Sequence, residues 1–171
     1  MQVRCPQEAL NAAPAASRGS GHTDFAGEHS LANGVTDDDG QRHRIAIQMR
    51  FADTDAMGHV NNGSYAVYAE TGRIAFMKAV GAADRTFILA RLAIDFRRQV
   101  RFGEPVVVES WVEKIGTSSV TLRQESRANE IVAAEVSSVV VSFDYASDRS
   151  TPWKAEVREQ LEGYGRGASG A

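Results

Sequence analysis

Four predicted strands follow one another between residues 88 and 144, and no helical segment interrupts them. In the first, apolar residues recur at every second position from Ile88 to Phe96, which is the period of a half-buried strand. The others are predicted at 106–115, 118–127 and 131–144, with turn-like sequences between the last three strands. Consecutive strands of this kind favour an antiparallel sheet.

One long helix is predicted before these strands. From Ser64 to Val80 apolar residues recur at steps of three and four, which is a helical period, and Gly81 is placed to cap the C-terminus. Further apolar residues lie off this stripe, so the helix is expected to be largely surrounded; they are Val67, Ile74 and Met77.

A strand at 44–51 precedes the helix, and a short helix at 152–161 opens with a proline and follows the last strand. The predicted fold class is therefore α+β, with an antiparallel sheet of about five strands around one long helix and a short C-terminal helix. Residues 1–40 and 163–171 have few large apolar side chains and are expected to be disordered tails around a domain at 41–162.

Composition excludes several classes of function. The net charge is -3 and the pI is near 5.8, so no nucleic acid or anionic membrane is expected as a partner. Cys5 is the only cysteine, which argues against a disulfide and a catalytic thiol. No apolar run approaches the ~20 residues of a membrane span, and the N-terminus has no secretory apolar region. A cytoplasmic protein is expected.

Polar side chains are concentrated in the connection between the first strand and the long helix. The run from Phe51 to Tyr65 reads Phe-Ala-Asp-Thr-Asp-Ala-Met-Gly-His-Val-Asn-Asn-Gly-Ser-Tyr. It combines carboxylates, an imidazole and carboxamides with the free amides of a helix start, which is typical of a functional site. A metal site is not expected, because a calcium loop starting at Asp53 would place Met57 and Ser64 at ligand positions, and zinc would need more histidine or cysteine.

The motif and the order of elements together resemble the hotdog fold of the 4-hydroxybenzoyl-CoA thioesterase superfamily, over about residues 44–161. The residues that carry the resemblance are Asp53-Thr-Asp55, Gly58-His-Val-Asn-Asn62, Tyr65, the Glu70–Arg73 stretch of the helix and Arg101-Phe-Gly-Glu-Pro-Val106. The resemblance implies an acyl-CoA thioesterase that hydrolyses an acyl thioester and needs no cofactor.

The resemblance also implies roles for individual residues. Asp55 would attack the thioester carbonyl or activate a water. The backbone amide of Asn62, together with that of Gly63, would stabilise the oxyanion. Gly58 would allow a sharp turn and close approach of the acyl chain.

His59 would be an auxiliary catalytic residue or a structural one. Acyl carrier protein thioesterases of this kind carry an Asp-x-Asn-x-His pattern, and Met57 here replaces its asparagine, which puts that mechanism in doubt. Asp53 is expected to brace the turn and Asn61 to order the loop.

The helix carries Glu70 and Arg73 one turn apart, and they are expected to form an ordinary ion pair. A chemical role for Glu70 is the alternative. The remaining substrate-binding candidates, which would meet the acyl-CoA and its phosphates, are Gly58, Gly63, Tyr65, Arg97, Arg98, Lys114 and Ser118, with Arg101 and Ser119 beside them.

Acyl-CoA is the expected substrate, and an acyl carrier protein donor would use the same arginines. A homodimer or homotetramer with sites at the subunit interface is expected, because one sheet around one helix leaves open strand edges. Two other classes remain: a non-catalytic acyl-CoA-binding module, which would not need Asp55, and a hydratase or dehydratase, which would need a better supply of histidine.

Overall fold

The structure is a computed structural model, and it describes residues 35–36, 42–82 and 86–165. A 3-10 turn at Phe51–Asp53 precedes the first helix. The strands and helices are β1 Val35–Thr36, β2 His43–Ile47, α1 Asn62–Ala79, β3 Phe87–Phe96, β4 Val106–Ile115, β5 Ser119–Ala128, β6 Ile131–Asp144, β7 Arg149–Ser150 and α2 Ala155–Gly163.

The strands form an antiparallel sheet in the order β1-β2-β4-β5-β6-β3, and β7 pairs with the end of β6. The predicted α+β fold, a sheet with one long helix packed against it and a short C-terminal helix, is confirmed. The strand that follows the helix in sequence, β3, crosses over to the edge of the sheet beyond β6. Its ten residues therefore leave one side of the backbone ladder without a strand partner among the described residues.

Helix α1 approaches the sheet closely at Gly72. A Cβ atom there would lie 2.5 Å from Cγ1 of Val108 in β4, so a side chain larger than hydrogen does not fit without a shift. One turn earlier, Nε2 of Gln124 donates to the carbonyl oxygen of Ala69 at 3.0 Å and to Oγ of Ser110 at 3.1 Å. These contacts fix the height and direction of the helix over β4 and β5.

The helix is not surrounded on all sides in a single chain. Met77 is fully buried, but Val67 and Ile74 are 56% and 45% exposed. They share one face of α1, because residues seven apart complete two turns. Gly81 has a φ of 77° and ends the helix, as predicted.

Tertiary contacts order two segments that were expected to lie in tails. Val35 and Thr36 pair with Arg44 and His43 at the edge of β2, and the rest of the predicted N-terminal tail lies outside the described residues. At the other end, the carbonyl of Tyr164 accepts from the N–H of Val112 at 3.3 Å. The Tyr164 ring also lies 5.0 Å from that of Phe76, while 166–171 lie outside the described residues.

Candidate active site

The polar motif folds into a small hairpin at the start of α1. A tight turn closes where the N–H of Gly58 donates to the carbonyl of Asp55 at 3.0 Å, and the N–H of Asp55 donates to the carbonyl of His59 at 2.8 Å. Gly58 has a φ of 77°, and a Cβ there would meet nothing within 4 Å. Glycine is therefore favoured at this position by backbone conformation and not by crowding.

The carboxylate of Asp55 lies across this turn and stays exposed. Its Oδ1 accepts from the N–H of Met57 at 2.9 Å and from the N–H of His59 at 3.0 Å. These hydrogen bonds, that of His59 first, lower the pKa of Asp55 below its ordinary value. The group is thus held ionised, and Oδ2 makes no hydrogen bond with the described residues.

Asp53, two residues earlier, is tied into the scaffold. Its Oδ2 accepts from the N–H of Arg50 at 2.8 Å and from the hydroxyl of Tyr68 at 3.0 Å. Its carbonyl accepts from the N–H of Asn61 and from Oγ of Ser64, both at 2.8 Å. Asp53 therefore joins the 3-10 turn, the loop and helix α1 at one point.

The start of α1 offers one free amide. Asn61 is the N-cap, and its Oδ1 accepts from the N–H of Gly63 at 2.9 Å. The N–H of Gly63 is therefore occupied by the Asn61 side chain in this structure, and its expected role as an oxyanion donor stays a prediction. The N–H of Asn62, the first helical residue, makes no hydrogen bond within the described part of the chain.

His59 contributes to the hairpin through its backbone. Besides its N–H bond to Asp55, it pairs with Arg101 in an isolated β-bridge. The neighbouring N–H of Phe102 donates to the carbonyl of Gly58 at 3.0 Å. The segment after β3 thus lies against the turn, and the imidazole makes no hydrogen bond with the described residues.

Three large apolar side chains surround the turn in the open. Phe51, Met57 and Phe102 are 78%, 79% and 51% exposed, and the two phenyl rings meet edge to face at 5.7 Å. Exposed apolar side chains clustered beside polar groups are typical of a binding surface. Sequence reasoning missed this cluster, because its members lie 51 residues apart and are joined only by the contact between the turn and the segment after β3.

The basic candidates separate into two groups. Arg97 pairs with Glu135 at 3.0 Å, and Arg98 pairs with Glu104 at 3.0 Å and also donates to the carbonyl of Ala128. Arg101 is exposed beside the turn, and its backbone N–H donates to Oε1 of Glu104 at 2.7 Å. Its guanidinium makes no ion pair with a carboxylate of the described residues and is therefore free to meet an anion.

Lys114 and Ser118 lie at the other end of the sheet. Val106 opens β4 near the turn and Ile115 closes it, so Lys114 is separated from that end by eight residues of strand, about 26 Å. Ser118 follows in the next turn, where its carbonyl accepts from the N–H of Ser142 at 2.8 Å. A single chain does not bring either residue to Asp55.

Tyr65 is buried between aromatic neighbours. It is 3% exposed, its ring lies 5.5 Å from that of Phe96, and its hydroxyl donates to the carbonyl of Arg98 at 3.4 Å. Burial raises the pKa of the Tyr65 hydroxyl. Tyr65 therefore braces the helix against the end of β3.

The expected ion pair on the helix does not form. Glu70 is exposed, whereas Arg73 is 5% exposed and makes no hydrogen bond or ion pair within the described residues. Burial lowers the pKa of the Arg73 guanidinium, and the charge of Glu70 opposes this only in part. The two side chains separate because Arg73 lies toward the core and Glu70 toward solvent.

No group of three or more potential metal ligands is found in the part of the chain that the structure describes. Within those same ranges, no helix has the length and apolar character needed to cross a membrane.

Comparisons with known proteins identify the family. The sequence model of the Thioesterase-like superfamily matches residues 49–161. YneP of Bacillus subtilis is 32% identical over 74 residues, which are 39% of this chain and 54% of YneP, so the match spans about half of that relative. YsmA of the same species is 28% identical over 120 residues, 67% of this chain and 82% of YsmA.

Two solved structures agree. A predicted thioesterase from Bacillus stearothermophilus superposes with a TM-score of 0.68 at 28% identity, over 72% of this chain and 96% of its own. A thioesterase from Thermus thermophilus, complexed with coenzyme A and Zn, gives a TM-score of 0.65 at 29% identity, over 72% of this chain and 94% of its own. The resemblance to the hotdog thioesterases is confirmed: this chain belongs to the Thioesterase-like superfamily, and its class of enzyme is a thioester hydrolase.

Proposed function

We propose that this protein is an acyl-CoA thioesterase in which Asp55 is the attacking or activating carboxylate. The observation that carries the proposal is that the two carboxylate oxygens of Asp55 have different surroundings. Oδ1 of Asp55 is fixed by two backbone N–H groups, while Oδ2 of this exposed residue makes no side-chain hydrogen bond with the described residues. A carboxylate held in place and ionised is what either route needs.

The oxyanion is assigned to the N–H of Asn62. It is the first amide of an 18-residue helix, whose N-terminus favours negative charge, and no described residue accepts from it. As Asp55 or its activated water adds to the thioester carbonyl, the carbonyl oxygen gains charge and this N–H stabilises it. Collapse of the intermediate breaks the C–S bond and releases the CoA thiolate. If water has attacked, the free acid forms in this step, and if Asp55 has attacked, a water then cleaves the acyl–Asp55 anhydride to the free acid and the regenerated carboxylate.

Coenzyme A is the proposed carrier. The name of YneP provisionally places that relative among acyl-CoA thioesterases, and the Thermus thermophilus neighbour is complexed with coenzyme A. Arg101, exposed next to the turn, is proposed to meet a phosphate of the carrier. An acyl carrier protein donor is the alternative, since its phosphopantetheine would meet the same arginine.

Assembly into a homodimer or dimer of dimers is part of the proposal. Among the described residues, the edge strand β3 has an open ladder, and Leu89 and Phe96 on it are 42% and 47% exposed. Val67 and Ile74 of α1 are also exposed. An exposed apolar edge strand is a template for pairing with another chain. A second copy covers both the strand edge and the exposed face of the helix.

Thiol release from a panel of acyl-CoA thioesters tests the proposal. The wild type should release CoA from at least one aliphatic or aromatic thioester, and the matched acyl-phosphopantetheine carrier protein should be a poorer substrate. Tight acyl-CoA binding without any thiol release would instead support a non-catalytic binding module.

A further inference from the structure

The carbonyl oxygen of Asp53 is the point at which the Asp55 hairpin is joined to helix α1. This oxygen accepts from the N–H of Asn61 and from Oγ of Ser64, both at 2.8 Å. The first bond belongs to the hairpin itself, as does the bond from the N–H of Asp55 to the carbonyl of His59. The second bond comes from the helix, so one backbone oxygen is shared by both parts of the candidate site.

Ser64 stands at a capping position of the helix but does not cap in the usual way. It is the third residue of α1, and Asn61 is the N-cap. A glutamate or glutamine at the third position commonly reaches back to the N–H of the N-cap. Here that N–H is already bonded to the Asp53 carbonyl, and the Ser64 hydroxyl donates to the same oxygen. The first turn of the helix is thus tied to the hairpin through a shared acceptor.

This tie crosses the point at which the backbone changes conformation. The chain is extended at Asn61 and helical from Asn62 onward. Rotation at Asn61 would therefore swing the first helical turn, and the N–H of Asn62 with it, relative to the carboxylate of Asp55. Because Ser64 lies two residues beyond Asn62 and bonds back to the hairpin, its hydroxyl restrains this rotation.

We infer that Ser64 is a positioning residue, which holds the N–H of Asn62 where it can stabilise the oxyanion formed by attack from Asp55 or its water. The inference deepens the proposed function and rests on it. The proton of the Ser64 hydroxyl is used by the Asp53 carbonyl, so Ser64 does not itself donate to the oxyanion. It acts through the amide, because a donor misplaced by about 1 Å stabilises the developing charge much less.

Tyr68 offers a matched comparison. Its hydroxyl lies one helical turn beyond Ser64 and also donates to Asp53, but at 3.0 Å and to the side-chain atom Oδ2. Both hydroxyl bonds are partly buried. The Tyr68 bond lies further from Asn62 and does not involve the backbone of the hairpin. Its loss should therefore lower the stability of the fold with little change in kcat.

Steady-state kinetics of Ser64→Ala and Tyr68→Phe test this role. Ser64→Ala should lower kcat about tenfold and leave KM for acyl-CoA within about twofold, because the amide acts mainly in the transition state. A kcat of folded Ser64→Ala within about twofold of the wild-type value overturns the inference. An equal loss of kcat in Tyr68→Phe does so too, because general loosening of the hairpin would then explain both variants.

A second substitution tests whether the hydroxyl is the group that matters. Ser64→Thr keeps a hydroxyl at this position and should retain most of the wild-type kcat. A loss of kcat in folded Ser64→Thr as large as that in Ser64→Ala overturns the role of the hydroxyl. If Ser64→Ala does not fold by its melting curve, Ser64→Cys takes its place, since a thiol is only a weak donor, and the same loss of kcat is expected.

Two inhibitors separate positioning from a purely structural effect. A trifluoromethyl ketone analogue of acyl-CoA forms a tetrahedral adduct at its carbonyl, whereas an S-alkyl-CoA thioether has no carbonyl at this position. In Ser64→Ala the inhibition constant of the ketone should rise about tenfold, in step with the fall in kcat, and that of the thioether should stay the same. Equal changes for the two inhibitors, or no change for either, overturn the inference.

Asp55→Asn in the same kinetic assay distinguishes this inference from the proposed function. A large loss of kcat in Asp55→Asn together with wild-type kcat in Ser64→Ala overturns the role of Ser64 alone. Wild-type kcat in folded Asp55→Asn overturns the proposed function. The role of Ser64 is supported when Asp55→Asn and Ser64→Ala both lose kcat and Tyr68→Phe does not.

Discussion

The hydroxyl of Tyr68 donates to Oδ2 of Asp53 at 3.0 Å, across 15 residues of sequence. Burial first, and then this bond to a carboxylate, raise the pKa of Tyr68. The Tyr68 hydroxyl is thus a neutral donor, and its hydrogen bond holds Asp53 against helix α1. Two aspartates separated by one threonine therefore have different surroundings, one bonded into the scaffold and one exposed at the turn.

Loss of this bond should weaken the fold more than the chemistry. Tyr68→Phe should lower the free energy of unfolding by about 1.5 kcal/mol, because the bond is partly buried and its acceptor is charged. Urea denaturation measures the free energy of unfolding. The same measurement on Asp53→Ala and on the double variant Tyr68→Phe/Asp53→Ala completes a double-mutant cycle. Losses of stability that add would show that the two side chains are not coupled.

Contact between Gly72 and the sheet predicts a second stability effect. Gly72→Ala places a Cβ 2.5 Å from Val108 Cγ1 and should cost about 1–3 kcal/mol, as overpacking does. Gly163→Ala, where a Cβ meets nothing within 4 Å, is the control and should be neutral or slightly stabilising. Equal melting temperatures for the two variants would contradict the packing described here.

The pKa of Asp55 predicts the acid side of the rate profile. Its ionised form is the active one, and hydrogen bonds hold its pKa below the ordinary 3.8. A group with a lowered pKa loses its charge only as the pH falls through that lower value, so kcat/KM should be flat from pH 7 to 5. A fall in kcat/KM between pH 7 and 5 would contradict control of activity by the Asp55 carboxylate.

Arg101 should act on binding of the carrier and not on the chemical step. Arg101→Ala is expected to raise KM for acyl-CoA about tenfold, with kcat little changed, because a lost phosphate contact weakens substrate and transition state alike. Arg97→Ala is the matched control, since Arg97 is already paired with Glu135. A fall in kcat with unchanged KM in Arg101→Ala would contradict this role.

Dimer formation should depend on the exposed face of α1. Ile74→Asp places a charge on that face and should shift the mass by light scattering toward a monomer, with activity falling in parallel. Ile131→Asp changes a residue that is 56% exposed at the start of β6 and should leave both unchanged. A monomeric, fully active wild type at micromolar concentration would refute the assembly.

The sequence was most informative where turn residues bound an element. Strands β4 and β6 were predicted to the residue, because turn residues such as Gly116 and Asn129 mark where a strand ends or begins. Helix α1 begins two residues before the predicted Ser64, since Asn61 caps it through its side chain. The strand β1 and the position of Tyr164 could not be predicted, because each depends on a tertiary contact. β1 pairs with β2, and the Tyr164 ring packs on Phe76.

Site residues were predictable only as far as the motif extends. Asp55, Gly58 and Asn62 stand in one run, and the structure places Asp55 and Gly58 in one hairpin and Asn62 at the start of the helix that follows. The occupied amide of Gly63 depends on the rotamer of Asn61. The burial of Arg73 depends on the orientation of the helix over the sheet. No local sequence pattern indicates the occupied amide of Gly63 or the burial of Arg73.

The most direct test is the steady-state rate of Asp55→Asn. An asparagine Oδ1 can still accept the two N–H bonds of the turn, so the variant isolates the charge from the fold. We expect an unchanged melting curve, near-normal acyl-CoA binding and a kcat at least ~10²-fold lower, and a much smaller loss of kcat in Asp53→Asn. Wild-type kcat in folded Asp55→Asn, or equal losses of kcat in the two variants, would contradict the role of Asp55.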